Sequence, residues 1–464
     1  MQSGKINQQR ELITITVPQG SAKAIPLGNN TKSSPTPLAS RELRAERYMY
    51  QGIARLLIGQ QGRADGMLYP LEWHRTGKCC HVRVRPNVGI SKSKQYGKAF
   101  YTGLSRCGSV WGCPVCAVKV QQRRRLEIAQ GIEWAYASGY KCVMVTLTFP
   151  HYAFQQLDDL ILRQRDALRR LRKGRVWDVF KADIDYQGLI RSLELTYGDN
   201  GWHPHTHELW IVRADADADE MRATILHQWE LACRGAGLLE GPTPPAFLIR
   251  SVDIHDNAST GDYLAKQDDS KHWGADREMS GAATKEAKKK GTHPFGFLRQ
   301  YAEGDKDAGA RFIQYIDTVT KRRCRQVYWS PGLKGRVGVD EVSDEAIAER
   351  EEDRADDLGQ LTPDEWSVVI AAEGKARVLD LAEDGGITAV RDWIESVARS
   401  PVCDPKSLGT AMTESAPGRA ERARERALTR HSERLFPDPL CLISGLTDPD
   451  LTEDQKAELR LIDI

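Results

Sequence analysis

The chain has 464 residues, of which 40% are hydrophobic and 28% are charged, and its formal net charge is +2. This length and composition are typical of a folded protein of about three domains, and they exclude a collagen-like fibre and a small disulfide scaffold. No apolar run approaches the roughly 20 residues that a membrane-spanning helix requires, and residues 1–10 are polar, unlike a secretory signal. We therefore expect a cytoplasmic protein with no membrane partner.

The small net charge hides two regions of opposite charge. Residues 336–464 contain 16 basic and 30 acidic side chains, which leaves a net charge of about +16 for the preceding part. A basic region of this kind favours a polyanionic partner, with nucleic acid the leading candidate. Arg123, Arg124 and Arg125, near the start of a predicted helix, are candidate DNA-binding residues. The acidic region is either a solvated helical appendage or a device against non-specific DNA binding.

The first part of the chain has two predicted regions. Residues 1–42 have few large apolar side chains and are predicted to be a disordered tail. Residues 43–138 are predicted to be helical and rich in cysteine, with helical periodicity at 43–61 and 118–137.

The middle of the chain alternates strand and helix patterns. These are a strand at 141–149, a helix at 155–173, strands at 188–197 and 203–212, a helix at 218–234, a strand at 247–254 and a helix at 257–267. An Asn-Gly step between the second and third strands predicts a hairpin. The order β-α-β-β-α-β-α predicts an α+β fold of the split βαβ type, with a central antiparallel sheet and helices on one face.

Weaker patterns follow this region. Residues 294–317 are predicted to be helical and residues 322–329 to form a strand. An acidic linker is predicted over 340–357, before a small helical unit at 362–398. The region 336–464 is therefore predicted to be acidic and helical.

Histidines alternate along the second strand of the hairpin, at His203, His205 and His207. Alternate residues share one face of a strand. If the residues at 200–201 form a two-residue turn, Glu194 opposes His207 on the same face. Two imidazoles and a carboxylate suit Mn²⁺, Mg²⁺ or Zn²⁺ and leave positions open for a substrate oxygen. Three roles are open for His203. It is a third ligand in place of Glu194, a residue that supports the ligands, or a DNA contact.

A tyrosine and a lysine follow this hairpin on one predicted helix. Tyr263 and Lys266 are three residues apart, so they share a helix face. A phenol with a pKa of about 10 is a poor nucleophile at neutral pH unless a cation or metal assists it. A nearby ammonium group could favour the phenolate or hold a phosphate.

Five of the ten cysteines are clustered, at Cys79, Cys80, Cys107, Cys113 and Cys116. Clustered cysteines in a cytosolic protein are typical of metal ligands. The Cys113-x-x-Cys116 spacing presents two thiolates to one zinc ion, and Cys107 is a candidate third ligand. Cys79 or Cys80 would complete the set, with His81 a weaker alternative. Four thiolates close the coordination shell, which favours structural Zn²⁺ over catalytic zinc.

Three motifs in this order resemble the HUH endonuclease superfamily, in particular the plasmid rolling-circle replication initiators (Rep proteins) of the single-tyrosine type. They are the Val-Thr-Leu-Thr run at 145–148, the His-Thr-His run at 205–207 and Tyr263-x-x-Lys266. The cysteine run at 107–116 and the Trp-His-Pro-His run at 202–205 are similar to those of actinobacterial members.

The resemblance implies a metal-dependent DNA nickase and strand transferase. His205 and His207 would bind the catalytic Mn²⁺ or Mg²⁺, with Glu194 as third ligand. Tyr263 would attack a DNA phosphodiester, giving a 5′-phosphotyrosine and a free 3′-OH that primes replication. Lys266 would orient the phosphate or the metal. The expected substrate is single-stranded or hairpin DNA at an origin.

The resemblance covers about residues 70–335. It implies an endonuclease core at 139–270 with an extension at 271–335, and it favours Cys79 as the fourth zinc ligand within the region 43–138. The acidic region 336–464 lies outside it, and recruitment of a host helicase or another replication protein by that region is left open.

The chain departs from the family pattern at two points. Thr206 stands where the motif ordinarily has a bulky hydrophobic residue. The helix of Tyr263 has no second tyrosine, and Ser259 stands one turn earlier, where some initiators carry a glutamate. Asp262 or Glu278 could activate water for the terminating cleavage instead.

Other functions remain open. A related HUH transposase or relaxase is one, although the zinc cluster and the chain length favour an initiator. A zinc-dependent hydrolase with water as nucleophile would give Tyr263 no chemical role. A non-enzymatic zinc protein that binds DNA would leave both the histidine hairpin and Tyr263 unexplained.

Overall fold

The structure is a computed structural model that describes residues 37–59, 74–94, 96–256, 291–350 and 355–399. The chain divides into two units, Met1–Ser40 and Arg41–Ile464, and every contact discussed below lies in the second unit. In these described ranges, no helix is long and apolar enough to cross a bilayer.

The strands and helices of the described residues have the following bounds. The strands are β1 (Val88–Ser93), β2 (Ala99–Thr102), β3 (Tyr140–Leu147), β4 (Gly188–Gly198), β5 (Gly201–Arg213), β6 (Val252–His255), β7 (Val327–Trp329) and β8 (Ala355–Leu361). The helices are α1 (Pro37–Ile58), α2 (Arg75–Lys78), α3 (Pro114–Ala137), α4 (Leu157–Leu171), α5 (Arg175–Asp183), α6 (Ala218–Gly235), α7 (Pro245–Arg250), α8 (Pro294–Ala302), α9 (Lys306–Lys321), α10 (Leu333–Val337), α11 (Asp344–Glu349), α12 (Pro363–Ala371) and α13 (Lys375–Ala398).

An antiparallel sheet of five strands lies at the centre of the fold, in the order β6-β3-β5-β4-β7. All four neighbouring pairs are antiparallel. The β-branched residues of β3 suit a pleated, buried strand. The predicted α+β fold with a central antiparallel sheet is confirmed.

Helices cover both faces of this sheet, whereas the sequence predicts them on one. Helices α4 and α6 share a hydrophobic core with Val145 and Trp210 on one face. Helix α3 packs through Ile132 against Met144 on the other face. Consecutive residues in the middle of β3 are all buried. Because neighbouring side chains of a strand point to opposite faces, such a strand needs cover on both sides.

A second sheet joins the Cys-rich region to the acidic region. Its strand order is β2-β1-β8, and α12 and α13 pack on it through a separate hydrophobic core that includes Ile90, Tyr101 and Trp366. The predicted acidic linker over 340–357 is therefore wrong in its extent, because α11 and the start of β8 lie within it. Strand β8 pairs along one edge of β1, which would otherwise expose unpaired backbone groups.

Several predicted elements differ in their bounds. The strand predicted at 247–254 is split into α7 and β6, because Pro245 begins a helical turn before the strand. The helix predicted at 294–317 is split into α8 and α9 at Gly304, where φ is +104°, and Asp305 caps the second helix. The helix predicted at 257–267 lies outside the described residues.

Candidate active site

The turn between β4 and β5 determines how the predicted metal ligands align. Gly198 pairs with Gly201, so the turn residues are Asp199 and Asn200 rather than 200–201. Gly201 has a φ of +80°, and neither turn residue has a positive φ. A left-handed glycine after two such residues is typical of a type I turn with a G1 bulge. The predicted two-residue Asn-Gly turn is therefore wrong.

The register that results still brings three ligand groups together. Glu194 opposes His205, whereas the predicted turn opposes it to His207. Because side chains alternate with a period of two, a shift of two residues keeps every side chain on its face. One carboxylate oxygen of Glu194, Oε2, lies 2.9 Å from Nε2 of His205 and 3.1 Å from Nε2 of His207. The three ligand atoms lie within 4.8 Å of one another, as binding of one metal ion requires.

The other ring nitrogen of each histidine also has a partner. The Thr146 hydroxyl oxygen lies 3.0 Å from Nδ1 of His207, which it faces across β3 and β5. The backbone carbonyl of His203 lies 3.4 Å from Nδ1 of His205. Both Nε2 atoms are thus directed to the Glu194 carboxylate. Outer partners that orient the imidazoles in this way are typical of metal-binding histidines.

The charges of the site suit a divalent cation. Burial raises the pKa of Glu194, but His205 and His207 outweigh burial and hold that pKa well below its ordinary value. Burial lowers the pKa of His205, and the Glu194 carboxylate more than offsets this, so the net shift is upward. One ionised carboxylate and two imidazoles form a donor set that fits Mn²⁺, Mg²⁺ or Zn²⁺.

The site lies beyond the part of the sheet face that α3 covers. Under α3, Ile190 and Leu209 are fully buried. Further along the same face, the side chains of His205 and His207 are 13% and 24% exposed. The ligand group is therefore close to the surface, where a substrate oxygen could reach a bound ion.

His203 is not one of the three grouped ligands. Its Nε2 lies 2.8 Å from the hydroxyl of Thr148, and its ring stacks on His151 with centroids 4.4 Å apart. It also stacks on His205, at 4.7 Å. Burial, together with the charges of His205 and His151, lowers the pKa of His203 to about 3. Of the three predicted roles, the geometry favours a residue that supports the ligands.

Sequence reasoning missed the outer partners Thr146, Thr148 and His151. The first two belong to the quoted Val-Thr-Leu-Thr run, but nothing local indicates that they face histidines. The signal that finds them is the pairing of β3 with β5, which places Thr146 opposite His207.

The predicted nucleophile lies outside the described residues. Tyr263, Lys266, Asp262 and Glu278 all fall within 257–290. The last described strand before them is β6, which pairs with β3.

Four of the five clustered cysteines form a second group. The Sγ atom of Cys79 lies 3.4 Å from that of Cys116 and 3.7 Å from that of Cys113, and Cys107 lies 3.7 Å from Cys116. A tetrahedron with Zn–S bonds of about 2.3 Å has edges of about 3.8 Å. All four thiols are buried and none forms a disulfide. The donors and their spacing therefore fit one structural Zn²⁺ ion.

Cys80 and His81 are outside this group. The Cys80 backbone has a positive φ of 51°, and its Sγ accepts a hydrogen bond of 2.6 Å from Arg106. The group thus contains Cys79, as the resemblance implies, and leaves Cys80 beside it.

The three predicted DNA-binding arginines have different surroundings. Arg124 forms ion pairs with Glu127 and Asp344 and is largely buried, so its guanidinium is already neutralised within the protein. Arg123 lies 3.4 Å from Glu127 and is 40% exposed. Arg125 is partly exposed. The structure therefore argues against Arg124 as a DNA contact, and Arg123 and Arg125 stay predictions.

Comparison with known proteins points to DNA replication. Residues 100–221 match a family described as "Replication protein". A Streptomyces cyanogenus protein named "Neomycin resistance protein" is 30% identical over 36% of this chain and 45% of its own length. A Streptomyces lividans protein named "Protein rep" is 32% identical over 29% of this chain and 35% of its own length.

The chain thus spans less than half the length of these two curated relatives. No solved structure matches it. The matched segment contains Glu194, His205 and His207 together with three of the grouped cysteines, and it ends before Tyr263. Residues 100–221 therefore carry the sequence pattern of the replication-protein family, and the predicted resemblance to replication proteins is confirmed at that level.

Proposed function

We propose that this chain is a plasmid replication initiator that nicks one DNA strand at an origin. The observation that carries the proposal is the convergence of Glu194, His205 and His207 on a partly open sheet face. This group lies inside the segment that matches replication proteins. Nicking requires a site that polarises a phosphodiester, and this donor set is suited to that task.

Each residue of the metal group would have a distinct role. The carboxylate of Glu194 and Nε2 of His205 and His207 would hold a divalent cation, which supplies Lewis-acid polarisation of a phosphate oxygen when bound. Thr146 keeps the His207 ring in place through Nδ1. The partial exposure of both histidine rings leaves room for a DNA phosphate on the open side.

The proposed nucleophile is the phenolic oxygen of Tyr263. It forms a bond to phosphorus as the bond from phosphorus to the 3′ oxygen breaks, and the phenolic proton ends on that 3′ oxygen. The products are a 5′-phosphotyrosine and a free 3′-OH. Lys266, three residues later, would orient the phosphate. The same phenolic chemistry would serve a transposase or a relaxase, and the replication-protein match favours an initiator.

The remaining roles follow from this proposal. The grouped cysteines would hold a structural Zn²⁺ that fixes the start of α3. Asp262 or Glu278 would activate water for the terminating cleavage. Single-stranded or hairpin origin DNA would be the substrate, a host helicase a further partner, and the cytoplasm the site of action.

The test is cleavage of circular single-stranded DNA with and without added Mn²⁺. We expect wild-type protein to nick the circle only with the cation, and His205→Ala and His207→Ala to lose nicking while keeping their fold by circular dichroism. Thr206→Val is the matched control, because Thr206 lies between these histidines and points to the opposite face of the sheet. If the variant that carries both His205→Ala and His207→Ala nicks DNA at the wild-type rate in the presence of Mn²⁺, the proposal is refuted.

A further inference from the structure

Two aromatic side chains are exposed on the loop between β3 and α4. Tyr152 is 53% exposed and Phe154 is 79% exposed, although phenylalanine is among the residues most often buried. Their rings lie parallel, with 5.7 Å between centroids and 5° between planes. Together they form an exposed pair of stacked rings, which we call the aromatic platform.

The loop that carries the aromatic platform is held in place. The backbone N–H of Tyr152 donates to the side-chain amide of Gln155 at 2.9 Å, and the backbone N–H of Gln155 donates back to the carbonyl of Tyr152. The turn of the β4–β5 hairpin lies against the loop, since a Cβ on Gly201 would come within 2.9 Å of the Cα of Ala153. Rings on a fixed loop lose little conformational entropy when a ligand stacks on them.

The loop that carries the aromatic platform reaches the metal ligand group through His151. His151, the residue before Tyr152, stacks on His203, and His203 stacks on His205. A continuous stack of three imidazoles therefore links the loop to a metal ligand. A strand whose phosphate reaches His205 and which continues along this stack would meet the loop.

Two acidic side chains lie near the platform, one along the chain and one in the adjoining hairpin turn. The nearest acidic side chain in the sequence, Asp158, is paired with Arg322 and with Lys321, the latter at 3.1 Å. Glutamine side chains at 155 and 156 flank the rings on the chain. Asp199, in the hairpin turn that lies against the loop, is exposed, so this surface favours contact with bases rather than with phosphates.

We propose that Tyr152 and Phe154 form a base-stacking subsite for unpaired DNA beside the metal ligand group. The inference rests on the proposed function, because it requires a single strand at that group. Exposed aromatic rings are the side chains on which unpaired bases stack, and such stacking tolerates any base sequence. The subsite would hold bases near the scissile phosphate unstacked from their neighbours.

The test compares binding of two strands that differ only in their bases. One is oligothymidylate of about 20 nucleotides, and the other is an abasic strand of the same length, both without added Mn²⁺ or Mg²⁺ so that cleavage does not intervene. We expect wild-type protein to bind oligothymidylate about 5- to 150-fold more tightly than the abasic strand for each base stacked. Tyr152→Ala/Phe154→Ala should lose most of that preference and bind the abasic strand as wild type does.

Two further variants keep the result specific. Phe154→Trp retains a ring and should retain the preference. Val179→Ala removes an apolar side chain of α5 that is 61% exposed, between the values for Tyr152 and Phe154. Trp177 of the same helix packs on Trp210 at the opposite face of the sheet, so this variant should leave the preference unchanged. The unchanged abasic affinity of the double variant separates loss of stacking from loss of phosphate contacts.

The outcomes separate this inference from the proposed function. If the double variant keeps the full preference for oligothymidylate, the stacking subsite is refuted and the nicking proposal stands. If wild-type protein binds neither strand and nicks no single-stranded circle, both fall together.

Discussion

The Oε2 atom of Glu194 lies 2.9 Å from Nε2 of His205, and the two residues face each other directly across strands β4 and β5. The backbones of two paired strands hold these residues, so the sheet itself fixes the relative positions of the two ligand groups. Such preorganisation lowers the cost of assembling a metal site.

Removal of the Glu194 charge should weaken metal binding. Glu194→Gln keeps the shape but leaves the two imidazoles without an anionic partner, so we expect the affinity for Mn²⁺ to fall at least tenfold. Isothermal titration with Mn²⁺ measures this directly. An unchanged affinity would show that Glu194 is not a ligand.

Thr146, which contacts a ligand histidine but is not itself a ligand, should also affect the metal affinity. Thr146→Val removes the hydroxyl that lies 3.0 Å from Nδ1 of His207, and loss of such a partner typically lowers metal affinity about 10- to 100-fold. The control is Thr148→Val, which removes the hydroxyl beside His203, a residue outside the ligand group. Equal losses in both variants would contradict a specific role for Thr146.

Replacement of Thr206 by valine should stabilise the fold. It is almost fully buried, and its hydroxyl has no hydrogen-bond partner among the described residues. Thr206→Val replaces this hydroxyl with a methyl group of similar shape, so we expect the free energy of unfolding to rise by about 1 kcal/mol. Urea denaturation checks the sign, and a lower midpoint for the variant would indicate an unseen partner.

The cysteine group should account for bound zinc. Cys113→Ser removes one of four thiolates, so we expect loss of most of the zinc and a lower melting temperature, because metal binding energy contributes to folding. Elemental analysis of the purified protein gives the zinc content. Cys142→Ala is the control, because Cys142 is buried in β3 among apolar side chains. This variant should keep the zinc content of the wild-type protein. Full zinc content in Cys113→Ser would remove the structural site.

The acidic region should stabilise the cysteine group. The Nζ atom of Lys375 donates to Gln51, whose amide lies 3.4 Å from Sγ of Cys113. Trp366 packs against Tyr101 and donates to the carbonyl of His81.

Trp366→Ala should therefore cost about 3–5 kcal/mol of unfolding free energy and release zinc at lower urea concentrations. A zinc-sensitive dye reports the release. Release at the wild-type urea concentration would mean that β8, α12 and α13 form an independent appendage.

The sequence predicts that Glu194, His205 and His207 come together, because their meeting depends on local rules. Alternation along two strands joined by a short turn places Glu194, His205 and His207 on one face in either register. The register itself depends on whether Asn200 takes a positive φ as well as Gly201, and only Gly201 does. Both residues tolerate that conformation, so the sequence alone does not decide between the two registers.

Long-range pairing is the part that the sequence does not reveal. Strand β8 has the sequence Ala-Asp-Asp-Leu-Gly-Gln-Leu, whose charges and glycine are unfavourable in strands. It becomes a strand because β1 offers it an edge and Leu361 enters the core formed with Ile90 and Trp366. The packing of α3 on the second face of the central sheet is long-range in the same way. The structure shows it in the burial of five consecutive residues of β3.

The most direct test of the central claim is mass spectrometry of the protein after reaction with labelled single-stranded DNA and Mn²⁺. The account predicts a covalent adduct on the peptide that contains Tyr263, joined to DNA through a 5′ phosphate, and no adduct with Tyr263→Phe. Cleavage of the DNA by wild-type protein with no adduct, or an adduct at another residue, would contradict the tyrosine mechanism.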